Sequence, residues 1–247
     1  MQTFLYMQPT YQLLVLLVFS LFTASCDVTG QNHVRGSGNV QKEERSVGAF
    51  TKLSVRGSMD VFLTQGPAKA AVIEADDNIL PLIELEKEGD ELVVRLRRHT
   101  SINTRKAMKV YLTTPEIEGL YLAGSGNIKL ENKFSNNREM KLKVSGSGNI
   151  DGELNAPQVD ADISGSGDIT LRGETKELDI DIAGSGDFKG SDLLSENADI
   201  KIAGSGDALV HASMTLDARI AGSGDVRYKG TPQVSSKVAG SGSVKKD

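Results

Sequence analysis

A Gly-Ser-Gly tripeptide recurs along this chain at near-constant intervals, and that recurrence limits what the chain can fold into more than any other feature. Its first glycine falls at Gly36, Gly124, Gly146, Gly165, Gly184, Gly204, Gly222 and Gly240, with a degenerate copy, Gly57-Ser-Met-Asp-Val61, ahead of the longer run. From Gly124 onward the intervals are 22, 19, 19, 20, 18 and 18 residues. A fixed period on this scale marks stacked supersecondary units.

The residues around each copy repeat as well. Two positions before the first glycine stand Leu122, Val144, Ile163, Ile182, Ile202, Ile220 and Val238, and four positions after it stand Ile128, Ile150, Ile169, Phe188, Ala208, Val226 and Val244. The flanks alternate apolar and polar, as in Leu178-Asp-Ile180-Asp-Ile182. A period of two denotes half-buried strands rather than helix. Paired glycines suit a tight corner, since glycine has no side chain and tolerates positive φ. The pairs Gly124 and Gly126, Gly146 and Gly148, Gly165 and Gly167, Gly184 and Gly186, Gly204 and Gly206, and Gly222 and Gly224 are therefore read as structural corners.

One strand–corner–strand unit cannot bury its apolar side alone, whereas units stacked at strand spacing share a continuous core. Three short strands plus corners fit 18–22 residues, so the chain is predicted to be all-β, a parallel β-helix or single-stranded β-solenoid. The absence of a six-residue register disfavours the left-handed hexapeptide form. An antiparallel β-sandwich is the alternative, but it does not explain one corner recurring at this interval.

Residues 1–25 hold an apolar core, Leu13–Ala24, too short for a comfortable membrane span. The core runs into Thr23-Ala24-Ser25-Cys26, small residues before the only cysteine. The segment reads as a secretory signal and resembles a bacterial lipoprotein signal cleaved before a lipid-modified Cys26. Thr23 stands where such signals usually carry leucine, and no Lys or Arg precedes the apolar core. An uncleaved anchor or an ordinary signal is the alternative. The expected organisation is a signal over 1–25, a polar tether over 26–45 and a solenoid over 46–247. The expected address is the cell envelope, as an outer-membrane lipoprotein held by lipid at Cys26, with its leaflet left open. All 61 charged residues follow Cys26 and sum to −5, a balance that argues against a general nucleic-acid-binding face.

Within the domain, Phe50, Leu53, Val55, Val61 and Leu63 are expected in the core, and Val34–Val40 as an outlying coil. The stretch between Gly57 and Gly124 lacks the motif but is long enough for about three coils. It also carries a hairpin signal at Glu86–Asp90 and a short helical turn at Asn78–Ile83, and can cover the N-terminal end of the stack. At the other end the last coil, Gly240–Val244, presents an open edge blunted by Lys245 and Lys246, where a partner or a second copy can add.

The repeat lines up charge. Asp160, Asp179, Asp199 and Asp217 lie five positions before successive corners, facing outward, and Asp168, Asp187, Asp207 and Asp225 lie three after them. Between the first set and the corner comes a mixed column, Lys143, Asp162, Asp181, Lys201, Arg219 and Lys237. Like charges on coils about 4.8 Å apart repel by about 1 kcal/mol per pair even in water. Asp160, Asp162, Asp179, Asp181, Asp199 and Asp217 are thus the candidate ligand or cation face, the alternative being plain tolerance at a hydrated surface, for which the adjacent basic residues argue. The corner aspartates replace Asn127 and Asn149 of earlier coils, which points to turn chemistry. Arg95, Arg97, Arg98, His99, Arg105 and Lys106 form the one basic concentration, read either as a solvated face or as a dock for an anionic glycan or lipid headgroup.

No catalytic constellation stands out. Carboxylate pairs such as Asp160/Asp162 echo the repeat rather than break it, His33, His99 and His211 are isolated, and no phosphate-loop or dinucleotide spacing occurs. No cofactor or metal centre is expected. The leading reading is a non-enzymatic module that binds a glycan or an envelope protein through its outer β faces. The rival is a polysaccharide lyase or hydrolase on the same scaffold.

From about Val47 to Val244 the chain resembles the head GIN domain family. The resemblance rests on the serial corners Gly124-Ser-Gly-Asn-Ile128, Gly146-Ser-Gly-Asn-Ile150 and Gly165-Ser-Gly-Asp-Ile169. It rests also on Asp76-Asp-Asn-Ile-Leu80 and on Val226-Arg-Tyr-Lys-Gly-Thr-Pro232. It implies a right-handed β-helix-like fold, export, frequent lipid anchoring and an adhesive role, and it brings no catalytic or binding residues with it.

Overall fold

The computed structural model describes residues 32–247; the expected signal segment and Cys26 lie outside them. The first strands are β1 (Asn32–Arg35), β2 (Val40–Arg45), β3 (Lys52–Gly57), β4 (Asp60–Gln65) and β5 (Ala71–Asp76). A 3-10 turn at Leu80–Leu82 leads to β6 (Ile83–Glu88), β7 (Glu91–Leu96), β8 (Thr100–Asn103) and β9 (Lys109–Thr114). Then come β10 (Gly119–Gly124), β11 (Asn127–Leu130), β12 (Phe134–Ser135) and β13 (Met140–Gly146). Four long strands follow, β14 (Asn149–Gly165), β15 (Ile169–Gly184), β16 (Phe188–Gly204) and β17 (Ala208–Gly222). The last are β18 (Asp225–Gly230), β19 (Gln233–Gly240) and β20 (Ser243–Lys246).

Together they make a β-solenoid of about seven turns. Strands before the corners stack in parallel, β3 on β10, β10 on β13, β13 on the C-terminal half of β14, and so on to β19. Strands after the corners form a second parallel ladder from β4 through β11 to β20. Register is kept corner on corner, with Gly57, Gly124, Gly146, Gly165, Gly184, Gly204, Gly222 and Gly240 each opposite the next.

In-register stacking converts sequence periodicity into two aliphatic rows. One runs Val94, Val55, Leu122, Val144, Ile163, Ile182, Ile202, Ile220, Val238. The other runs Val110, Val61, Ile128, Ile150, Ile169, Phe188, Ala208, Val226, Val244. Nearly every member is buried, and each buried branched side chain contributes about 1.5–3 kcal/mol by leaving water. Both rows weaken only at the C-terminal coil, where Val238 is 40% exposed and Val244 is half-buried.

The corners explain why glycine is needed twice. The Gly165 carbonyl accepts the amides of Ser185 and Gly186 at 2.8 and 3.1 Å, and the same pair of bonds joins most other successive corners. Gly184 sits at φ +137°, and a Cβ there would lie 2.3 Å from the Gly165 oxygen. Gly186 has no such φ, yet a Cβ would lie 2.1 Å from the Gly167 oxygen. The first glycine thus answers to conformation and contact, the second to contact alone. The degenerate copy fits the same rule, because a Cβ at Gly57 would meet nothing within 4 Å. As the first rung it has no glycine corner beneath it, and Met59 takes the place of the second glycine with its side chain fully buried.

The N-terminal region departs from expectation in two ways. The stretch between Gly57 and Gly124 does not wind into three coils. Instead β7 and β9 stack in parallel on β3 and β4, while β6 runs antiparallel to β7 and β5 antiparallel to β9 at this end of the stack. From Asn32 onward the segment expected as a tether carries strands, β1 paired with β8 and β2 antiparallel to β5. Gly36-Ser-Gly38 is therefore a loop on the cap and not an outlying coil. Its Ser37 amide donates to Asn78 Oδ1 at 3.0 Å, and Asn39 Nδ2 donates to Asp77 Oδ2 at 2.9 Å.

Replacing Gly184 or Gly186 with alanine is expected to lower unfolding stability by about 3 kcal/mol through backbone strain or collision with the coil below. Ser185→Ala, between them, should stay within about 0.5 kcal/mol. Chemical denaturation of the three variants checks the contrast.

Candidate functional site

The outward side of the pre-corner strands carries the residues singled out by the repeat. Asp160, Asp179, Asp199 and Asp217 are in register on consecutive coils, half-buried at their bases, and Lys141 continues the column on the earlier coil. The neighbouring column is also in register, Lys143, Asp162, Asp181, Lys201, Arg219, Lys237.

The two columns neutralise each other unevenly. On the later coils Arg219 bridges Asp199 and Asp217 at 3.1 and 3.0 Å, and Lys201 lies 3.7 Å from Asp199. On the earlier coils Lys143 reaches Asp162 only at 3.7 Å, and Asp179 accepts from Gln158 Nε2 at 3.1 Å. Burial and the adjacent Asp162 raise the Asp160 carboxyl above its ordinary range. One surface thus has an acidic stretch, Asp160 to Asp181, followed by a balanced stretch. Over the latter the residue before each corner is Ala203, Ala221 or Ala239, and a shallow groove of about 320 Å³ runs past these methyls beside Lys201, Arg219 and Lys237.

The corner column is structural. Asp168 Oδ1 accepts the Asp187 amide at 3.0 Å, Asp187 accepts that of Asp207 at 3.0 Å, and Asp207 that of Asp225 at 2.8 Å. Asn149 serves Asp168 in the same way, and Asn149 itself bonds Asn127. Each carboxylate therefore carries the amide of the following coil, and Ser243 holds the Asp225 carboxyl below its usual range. Among the described residues no group of three His, Cys, Asp or Glu side chains is arranged to hold a metal ion.

The basic concentration divides. Arg95 is spent on Glu84 and Glu86 at 3.1 and 2.8 Å, and Arg97 on Glu84 at 3.5 Å. Arg105 and Lys106 instead join Arg35 and His33 around a cavity on the N-terminal cap. The sequence period could not reveal that grouping, since these residues lie outside the repeat. His99 and His211 are not brought together with His33.

The fold is thus a solenoid whose outer face carries charged columns in register. Residues 49–232 match the family model described as "Putative auto-transporter adhesin, head GIN domain", and the chain belongs to that family. Among solved structures, a putative adhesin from Bacteroides fragilis is 23% identical with a TM-score of 0.80, the match covering 87% of this chain and 100% of that one. A putative lipid binding protein from Parabacteroides distasonis is 26% identical with a TM-score of 0.71 over 87% and 100%. A putative adhesin from Parabacteroides merdae is 22% identical with a TM-score of 0.68 over 87% and 99%. No curated protein matches the chain. No helix among the described residues is long and apolar enough to cross a membrane.

The raised Asp160 carboxyl has a definite sign. Its protonated form favours the fold, and that contribution is complete below the ordinary value of 3.8 and is lost as pH rises through the higher folded value. Asp160→Asn should therefore raise the melting temperature at neutral pH, and the gain should vanish as pH falls to about 3. Melting curves across pH check it.

Proposed function

We propose that this protein is a non-catalytic cell-envelope lipoprotein, tethered through Cys26, that binds a surface partner through the outer face of its pre-corner strands. The observation that carries the reading is the register of that face. Asp160, Asp162, Asp179 and Asp181 form an acidic stretch on adjacent coils, next to a groove lined by alanines and cations. A rigid β surface presents such a pattern without ordering cost, and charge complementarity over it governs partner choice and encounter rate. Family membership and the adhesin names of structural neighbours support adhesion. The acidic stretch favours a partner rich in cations or hydrogen-bond donors, a basic envelope protein or a hydroxyl-rich glycan.

The repeat also supports a non-catalytic reading, because every carboxylate pair on this face is one rung of a series and has no singular neighbours. Incubation with acidic and neutral polysaccharides should release no new reducing ends or unsaturated sugars, and their appearance would favour the lyase or hydrolase instead.

Asp179→Lys combined with Asp181→Lys should reduce capture of envelope fractions by the full chain about tenfold while leaving its melting temperature within a few degrees. Undiminished capture by the folded variant contradicts the face. Separately, Cys26→Ser should abolish incorporation of labelled fatty acid and move the protein from the membrane fraction to the soluble one.

A further inference from the structure

The cap carries a second candidate site, remote from the repeat and independent of the outer-face reading. A cavity of about 360 Å³ lies between the Gly36–Gly38 loop and the segment after β8, with His33, Arg35, Asp76, Thr104, Arg105 and Lys106 among its walls. Among the described residues none with an aliphatic or aromatic hydrocarbon side chain lines it. Its volume falls at the lower end of the range for small-ligand sites, about 300–1,000 Å³.

Asp76 is 1% exposed. Its Oδ2 accepts the Thr104 hydroxyl at 2.7 Å, while its Oδ1 is buried with no hydrogen-bond partner among the described residues. A buried, unpaired carboxylate oxygen costs more than almost any other unmade hydrogen bond, so an orphan beside a cavity marks a place for a donor. Around it stand Arg35, Arg105 and Lys106, all exposed. None has an acidic partner within ion-pair distance among the described residues, unlike Arg95 and Arg97 on the same cap.

The walls are built to stay put. Gly36 donates to the Asn103 carbonyl at 2.9 Å, and a Cβ there would lie 2.0 Å from Asp76 Oδ2, so only glycine lets the loop cross the carboxylate. Asn78 Nδ2 donates to the Arg35 carbonyl at 2.8 Å, and the Lys106 amide donates to Thr104 Oγ1 at 3.0 Å.

The donor demand and the rim charge select a ligand together. A simple cation meets three positive side chains. A bare anion leaves Asp76 Oδ1 unpaired and meets its charge. An apolar ligand leaves both the Asp76 oxygen and the rim cations without a polar partner. We propose that the cavity binds one acidic sugar residue, with a hydroxyl donating to Asp76 Oδ1 and the sugar's carboxylate, sulfate or phosphate held by Arg35, Arg105 and Lys106. Carboxylates accept sugar hydroxyls well, and guanidinium groups bind planar oxyanions in bidentate fashion. The acidic sugar can belong to a free glycan or to a glycolipid headgroup, which share this chemistry.

The test is calorimetric titration of the full-length, detergent-solubilised chain with methyl glucuronide, and with methyl glucoside and acetate as controls. Methyl glucuronide should bind at least about tenfold more tightly than either control, and Arg105→Glu, a surface change, should weaken it about tenfold or more. Asp76→Asn should do the same, and Asp181→Lys should change nothing, so failure here is separate from failure of the outer face. Retention on vesicles bearing a glucuronosyl lipid, lost in Arg105→Glu, would identify a headgroup. Binding of the soluble sugar without such retention would identify a free glycan. Absence of methyl glucuronide binding to the folded chain, equal binding of acetate or glucoside, or an Arg105→Glu variant of full affinity overturns the proposal.

Discussion

Each corner carbonyl accepts amides from the coil above it, and this contact sets the rest of the structure. The Gly124 oxygen takes the Ser147 and Gly148 amides at 2.9 Å each, and equivalent bonds continue to Gly222. So close an approach of backbone to backbone leaves no room for a Cβ on the upper coil. Two glycines per coil are the condition for strands on both sides of the corner to stay in register. Once register is kept at one point per turn, inward residues must fall on inward residues, and the aliphatic rows follow.

The same constraint fills the exterior. Each outward position stacks at strand spacing on its counterpart in the next coil, so charges line up in columns instead of scattering. The corner aspartates escape mutual repulsion by carrying the next coil's amides. The outward aspartates do so where a basic residue stands two positions along, as Arg219 does for Asp199 and Asp217. Where that column is acidic too, at Asp162, its charge adds to burial in raising the Asp160 carboxyl. An imbalance confined to a few coils is a local property of a face, which a partner can read.

Much of this was legible in the sequence because the repeat is written in residue types with single physical uses. Glycine pairs named the corners, branched residues two before and four after named the core, and the Glu86–Asp90 signal named the β6–β7 hairpin. The cap was harder. Gly36-Ser-Gly38 has the corner's letters but a different role, since Gly36 makes room over Asp76 and the loop is held by Asp77 and Asn78. The cavity was invisible for the same reason. Arg35, Asp76 and Arg105 are far apart in the chain and belong to no period, and only the antiparallel cap strands gather them. Likewise, no spacing shows that Arg95 is consumed by Glu84 and Glu86 while Arg105 has no acidic partner among the described residues.

Residue-resolved amide hydrogen exchange at the corners tests the central claim most directly. If the serine amides of Ser147, Ser166, Ser185 and Ser205 donate to the coil below, they should exchange as slowly as those of Ile163 or Ile182 in the adjoining strands, despite lying in surface turns. Exchange of these amides at the rate of an exposed loop, with the strand amides still protected, would show that the corners do not hold the coils in register.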